Sequence, residues 1–309
     1  MIDSKSMLQI CEAATRLGLT LILVGDSAQL QPILAGGPLL HLLRNGNSAS
    51  LSKNLRQQDP ADRKAADDLR QGDAKAALEN YAERGRLTIS TDRVEALTTL
   101  ISKWTANGGA VKPASHVIFT STRAEARAAS RLAQKERAAQ RQIAPEESLK
   151  NGKDQICLGD RVLFHKNSYS DGIRNGYRGE VTAVDHFLGR LTIRLDGQAE
   201  RLVTIRLRDY GPDGLTLAYA QTTYKGQGQT VDHAYLLVGG LMADREMAYV
   251  QATRGRESTQ LFVDEAHAGD ELEDLARALS RSRSKELAHD VAARSKSIDI
   301  KKNGLFQEL

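Results

Sequence analysis

The sequence predicts an α/β fold carrying a small all-β insertion, and three observations predict it. Residues 19–24 and 117–119 are short, apolar, partly β-branched runs of the kind that form buried strands. The second run leads straight into an Ala- and Arg-rich stretch, about residues 123–142, which reads as a long helix and completes a β-α unit. Between residues 159 and 207 the pattern changes to period two, as half-buried antiparallel strands require.

Taken in order, the chain opens on a helix over residues 5–16, with Leu8, Cys11 and Ala14 on one face, and then the strand 19–24 ended by Gly25. A parallel strand normally needs neighbours and cover on both faces, and this opening offers only one helix. Asp59-Pro60 is a helix start, an N-cap acid followed by a first-turn proline, and Gly72 is the matching stop. Residues 73–84 repeat the pattern before Gly85, so the two helices are expected to form a hairpin. In the period-two region, strands are expected over 161–164 and 180–184, through Leu191, Ile193 and Leu195, and, after the turn Asp196-Gly197, through Leu202, Ile205 and Leu207. Four or five such strands would close a small barrel. Signals of the α/β type resume at Leu215, and a last helix carries Leu272, Leu275 and Leu279. From Arg281 the chain turns progressively polar, and its end is expected to be disordered.

At 309 residues there is room for two domains with separate cores. The net charge of +4 sets 43 basic against 39 acidic residues, which permits nucleic-acid binding without demanding it. Cys11 and Cys157 fit no metal-ligand spacing and read as reduced packing residues. No apolar run approaches the length of a membrane span, and a soluble, cytoplasmic protein with no membrane partner is expected.

Four short motifs carry the chemistry. Gly25-Asp26-Ser27-Ala28-Gln29-Leu30-Gln31-Pro32 follows a predicted strand, which places Gln29 at the carboxyl edge of a sheet, where ligands of open α/β folds bind. An amide there can donate to a phosphate oxygen and accept from water; alone, the motif reads equally as an ordinary Gly-Asp turn. In Leu55-Arg56-Gln57 the guanidinium could grip a phosphate or simply be solvated. Thr222-Thr223-Tyr224-Lys225-Gly226-Gln227-Gly228 is a glycine-rich turn whose backbone N–H groups can face an anion. Tyr249-Val250-Gln251-Ala252-Thr253-Arg254-Gly255-Arg256 places Arg254 on a predicted helix, with Arg256 either a second phosphate contact or a surface charge. Two patterns are absent from the sequence: a Gly-x-x-x-x-Gly-Lys-Ser/Thr loop, and an Asp-Glu box ahead of Gly25. Val263-Asp264-Glu265-Ala266-His267 imitates such a box but stands after Arg254, in the wrong order, and reads as a strand end.

In this order and spacing the four motifs resemble the later half of superfamily 1 DNA helicases, on the branch of RecD-like enzymes and the helicase portions of conjugative relaxases. The resemblance implies RecA-like, P-loop NTPase motor domains with an inserted SH3-like barrel. Residues 1–84 would be the remainder of a first motor domain, 85–154 and 208–268 the second, 155–207 the barrel and 269–309 a helical, partly disordered tail. It further implies that Gly25, Asp26 and Gln29 couple phosphate sensing to DNA contact, and that Arg56 reaches a γ-phosphate from the first domain. Gln227 and Gly228 would lie towards the nucleotide, and Arg254 would be the arginine finger of the second domain. Thr222 and Lys225 would hold the DNA backbone, with Tyr224 standing where many relatives have histidine. The basic, Asn-rich loop from Lys166 through Arg174 to Arg178 either touches phosphates or is a solvated hairpin.

The expected activity is therefore that of the C-terminal portion of an ATP-dependent 5′-to-3′ helicase moving on single-stranded DNA, its partners being that DNA, the missing N-terminal motor domain and a relaxase domain. ATP and Mg2+ are expected only for the complete enzyme, no metal is expected on this chain, and the chain alone is expected to be inactive as an ATPase. The rival is a non-enzymatic single-stranded nucleic-acid-binding or regulatory module from a decayed or split gene.

Overall fold

The computed structural model describes residues 2–32, 34–51, 54–197, 201–288 and 290–292. Helix α1 (Ser4–Leu17) is capped by the Asp3 carboxylate and closed by Gly18 in the left-handed conformation. It buries Met7 and Ala14, whereas Leu8 and Cys11 are exposed, so its inner face is turned from the one expected. Residues 19–24 do not form the expected strand. The stretch carries a strand's composition but pairs with no strand among the described residues, and most of its side chains are exposed. Helix α2 (Pro38–Asn45) follows.

The hairpin of α3 (Pro60–Gln71) and α4 (Ala74–Glu83) forms as expected, with Asp59 accepting from Ala61 N and Gly72 left-handed at φ 93°. Then come β1 (Leu87–Ser90), α5 (Arg93–Ala106), β2 (His116–Thr120) and α6 (Arg123–Ala139), the last opened by a reciprocal Thr122–Glu125 capping box. An antiparallel pair, β3 (Ala144–Asn151) and β4 (Asp154–Leu158), precedes the period-two region. There β5 (Arg161–Phe164), β6 (Arg178–Asp185), β7 (Arg190–Leu195), β8 (Leu202–Arg206), the kinked helix α7 (Leu207–Gly214) and β9 (Leu215–Leu217) make an antiparallel sheet in the order β8-β7-β6-β5-β9. Two expectations are corrected here. Leu215 belongs to this inserted sheet, because its strand pairs antiparallel with β5. The row of strands is also open: among the described residues β8 and β9 are not paired, so hydrogen bonding does not close a barrel.

The main sheet resumes at β10 (Ala220–Thr222) and adds β11 (Val231–Leu237), helix α8 (Arg245–Ala252), β12 (Gly255–Asp264), the short helix α9 (Glu265–Ala268) and α10 (Glu273–Ser280). Its five strands are parallel, in the order β1-β12-β11-β2-β10. Period-two alternation divides their side chains between two cores. Val117, Phe119, Leu236, Leu261 and Val263 meet α3, α4, α8 and α10 on one face. Ile118, Tyr235, Leu237 and Phe262 meet α5 and α6 on the other, in a core continuous with the interior of the inserted sheet.

Residues 281–288 and 290–292 run back across the molecule as a strap. Glu246 receives Ser282 Oγ and Arg283 N; Lys285 Nζ donates to the carbonyls of Pro32 (2.7 Å) and Leu34 (3.0 Å). Arg44 pairs with Glu286 at 2.8 Å and His41 with Asp290 at 2.9 Å. The polar tail is thus anchored as far as it is described; the expectation of a disordered end concerns residues 293–309, outside the described residues. Among the described residues no helix is long and apolar enough to cross a membrane.

Candidate functional site

Residues 25–32 form a turn seated against α8. Asp26 accepts from Ala28 N (3.0 Å) and from Gln29 Nε2 (3.3 Å), which fixes the Gln29 amide beside the carboxylate. The same carboxylate accepts from Tyr249 Oη at 3.2 Å, with the Arg70 guanidinium 3.8 Å away and Arg70 lying over the Tyr249 ring. Burial, reinforced by the Asp26 charge, pushes the Tyr249 phenol up to about 12, so Tyr249 stays a donor. Leu30 is buried with Met247 and Val250, and Tyr224 packs against that cluster. Gly25 is exposed at the start of the turn.

A second seam lies beside it. Arg56 donates to Thr253 O (2.9 Å), Gln57 Nε2 to Gly255 O (3.1 Å) and Gln58 N to Arg256 O (2.8 Å). Residues 56–58 are therefore stitched to residues 253–256, which lie 197 or more positions further along the chain. Thr253 caps α8, so Arg254 stands just past the helix rather than on it. Its side chain is 1% exposed. Nε donates to Val250 O (2.7 Å), the NH1 nitrogen to Gly226 O (3.4 Å) and Gln229 O (2.9 Å), and the NH2 nitrogen to Thr253 Oγ1 (2.9 Å). A guanidinium has five N–H groups, and one remains.

Burial and the adjacent Arg56 depress the Arg254 pKa to about 10. Neither arginine pairs with a carboxylate among the described residues. Two neighbouring guanidiniums without an acid between them could receive an anion, whose charge would offset their mutual repulsion. Arg256 pairs instead with Asp232 at the surface.

The glycine-rich turn joins both regions. A Cβ on Gly226 would lie 2.4 Å from the Phe119 ring, and Gly228 has φ 83°, so both positions need glycine. Gln227 sits half-buried between them. Thr222 Oγ1 accepts from Lys225 N (3.4 Å), and Lys225 Nζ donates to Asn175 Oδ1 (2.9 Å), which connects this turn with the basic loop of the inserted sheet. Within that loop Arg178 bonds Gln221, Lys166 Nζ donates to Tyr210 O (3.2 Å), and Arg174 is exposed. Asp264, the acid of the misplaced box, is held by Arg93 (3.3 Å) and His267 (2.7 Å) at the end of β12. Among the described residues no three His, Cys, Asp or Glu side chains are grouped to hold a metal ion.

An AAA domain family matches residues 1–92. Conjugal transfer protein TraA of Rhizobium radiobacter is 32% identical over 294 residues, 94% of this chain but 26% of TraA. The ATP-dependent RecD2 DNA helicase of Deinococcus radiodurans is 29% identical over 252 residues, 79% of this chain and 33% of that protein. The chain is similar to RecD-like superfamily 1 helicases and to conjugal transfer proteins. It spans about a quarter of the length of the TraA proteins it matches. Its fold is also that of Bacteroides Pif1 bound to ssDNA, with a TM-score of 0.50 and 17% identity over 93% of this chain and 68% of the other.

The structure brings Asp26 and Gln29 against α8, and Arg56 beside Arg254. It brings Lys225 and Thr222 to the basic loop, although Lys166 points back to Tyr210 and Tyr224 faces the Leu30 cluster. Sequence reasoning missed Arg70 and gave Tyr249 no role. Arg70 resembles any basic residue in a helix's last turn, and only the fold shows that it meets Asp26.

Proposed function

We propose that this chain forms one wall and part of the opposite wall of the nucleotide cleft of a DNA helicase motor, together with part of its single-stranded DNA track. The observation that carries the reading is the Arg56–Arg254 pair, two neighbouring guanidiniums from distant segments with no acid between them. ATP, bound with Mg2+ in the complete enzyme, would supply the terminal phosphate whose transfer drives movement. Arg56 and Arg254 would hold that phosphate, Arg254 exchanging the carbonyls of Gly226 and Gln229 for phosphate oxygens. The Gln29 amide, oriented by Asp26, would sense whether the phosphate is present, and Tyr249 would pass its state to α8.

Thr222, Lys225 and the loop carrying Arg174 would bind the DNA backbone, consistent with similarity to proteins named as DNA helicases and to Pif1 bound to ssDNA. Polarity would be 5′-to-3′, and the working context conjugal DNA transfer, as the name of TraA suggests. Lacking a Gly-x-x-x-x-Gly-Lys-Ser/Thr loop, the 309-residue chain alone would not hydrolyse ATP.

The test supplies the phosphate-loop segment by co-expression and measures ATP hydrolysis with and without single-stranded DNA. DNA-stimulated turnover is expected, and Arg254→Ala should lower kcat by about three powers of ten while changing nucleotide affinity much less. Full turnover without Arg254 would remove the arginine-finger assignment. An assembled protein that binds DNA but never hydrolyses ATP would favour a non-enzymatic binding module.

A further inference from the structure

The inserted sheet is an open row, and a cleft of about 660 Å3 lies along the free edge of its outermost strand, β8. Thr204, Ile205 and Arg206 of β8 all line it. Successive strand residues point to opposite faces, so a cleft that touches all three follows the edge instead of covering one face. The rest of the lining includes Lys166 and Ser168, which follow β5, and Tyr210 of α7. We propose that this cleft is a docking slot for an extended acidic segment of a partner protein, which adds to β8 as a further strand. The lining shares no residue with the nucleotide seam, so docking here stands apart from the motor reading.

Main-chain groups select a peptide. Among the described residues β8 pairs with β7 alone, which leaves the N–H and C=O groups along its other edge without a ladder partner. An extended peptide takes up those groups, whereas a nucleic acid has no amide ladder to offer. A second copy of this chain would bring another arginine-bearing edge, and charge on an edge guards against such self-pairing.

Charge selects an acidic peptide. Arg206 stands directly opposite Arg190 of β7, and like charges so placed oppose each other. The neighbouring arginines are answered, Arg194 by Glu180 (3.2 Å) and Arg208 by Asp209 (3.7 Å). Arg190 and Arg206 have no side-chain hydrogen bond or ion pair among the described residues. Of the acids in the lining, Asp209 faces Arg208, and Asp171 accepts from Ser168 Oγ (2.6 Å) and Tyr210 Oη (3.2 Å). Those two acids repel a continuous run of phosphates, whereas a peptide carries its carboxylates only where the arginines are. The matching segment therefore has acids on the face of Arg206 and apolar residues on the opposite face, beside Ile205.

The test uses the full chain and a fluorescein-labelled peptide of alternating Val and Glu, with binding followed by fluorescence anisotropy and by hydrogen exchange. Binding is expected, with slowed amide exchange in residues 202–206. Arg206→Glu should weaken it by about tenfold, and a peptide of alternating Val and Lys should bind that variant better than it binds the unaltered chain. Arg190→Gln, on the adjoining strand, should act in the same direction and serves if Arg206→Glu disturbs the sheet. Methylating the peptide's backbone nitrogens should abolish binding, because it removes the donors of the ladder. A Val-Glu peptide that does not bind, or binds without protecting residues 202–206, overturns the docking slot. Binding that survives backbone methylation reduces it to a charge contact and overturns it too. Oligo-dT that displaces the peptide and loses the same affinity in Arg206→Glu would make the cleft a nucleic-acid site instead. None of these outcomes depends on ATP hydrolysis, so the motor reading stands or falls separately.

Discussion

Residues 2–58 and residues 59–280 have comparable apolar runs and use them in opposite ways. In the later region Ile118 and Phe119 are 0% exposed, enclosed by helices on both faces of a five-stranded sheet. In the earlier one Ile22 is 85% and Val24 95% exposed, although their stretch has at least as strong a strand composition. A run of β-branched residues becomes a strand only when a neighbour completes its ladder, so composition states a capacity that tertiary context must realise. The early region leans on the later one, through Asp26 on Tyr249, Leu30 on Val250 and Arg56 on Thr253.

The contrast can be broken by mutation. Phe119→Ala should cost about 3–5 kcal/mol in denaturant unfolding, because it empties a packed core and undercuts Gly226. Asp62→Ala comes next. This buried carboxylate binds Arg84 (2.7 Å) and Arg86 (2.9 Å), and its loss should cost about 2 kcal/mol, less than a wholly buried pair because both arginines keep Asp59.

A smaller effect is expected from pH. The folded His165 pKa of about 4 lies below the ordinary value of 6.5, so the unfolded chain takes up its proton first and stability must fall as pH drops from 6.5 towards 4. His165→Gln should shrink that fall in a melting-temperature profile; an unchanged profile would show that other groups govern it. Smallest of all, Ile22→Ser should alter stability by less than about 0.5 kcal/mol. A loss rivalling that of Phe119→Ala would erase the distinction between the two regions.

Legibility in the sequence follows the same divide. The α3–α4 hairpin, the β2–α6 unit and the strands expected over 161–164 and 180–184 were readable because caps, turn residues and periodicity are local signals. The strand 19–24 misled because the missing condition, a neighbouring strand, leaves no mark on its own residues. Leu215–Leu217 looked like an α/β strand because apolar composition does not say which sheet will take it. For the site, motif order led to Gln29, Arg56 and Arg254, yet the contacts on Asp26 that seat the turn come from Arg70 in helix α3 and from Tyr249, 223 positions away.

The strap after Ser280 has a consequence for how the chain is made. Its contact between His41 and Asp290 closes a loop of 249 residues, and ring closure on that scale costs entropy that only a prior scaffold can reduce. During synthesis α2 must therefore wait for almost the whole chain to emerge before Arg44 and His41 meet their acids. The strap is the last clasp fastened, and the 25–58 segment is seated against α8 only after the sheet that carries α8 exists.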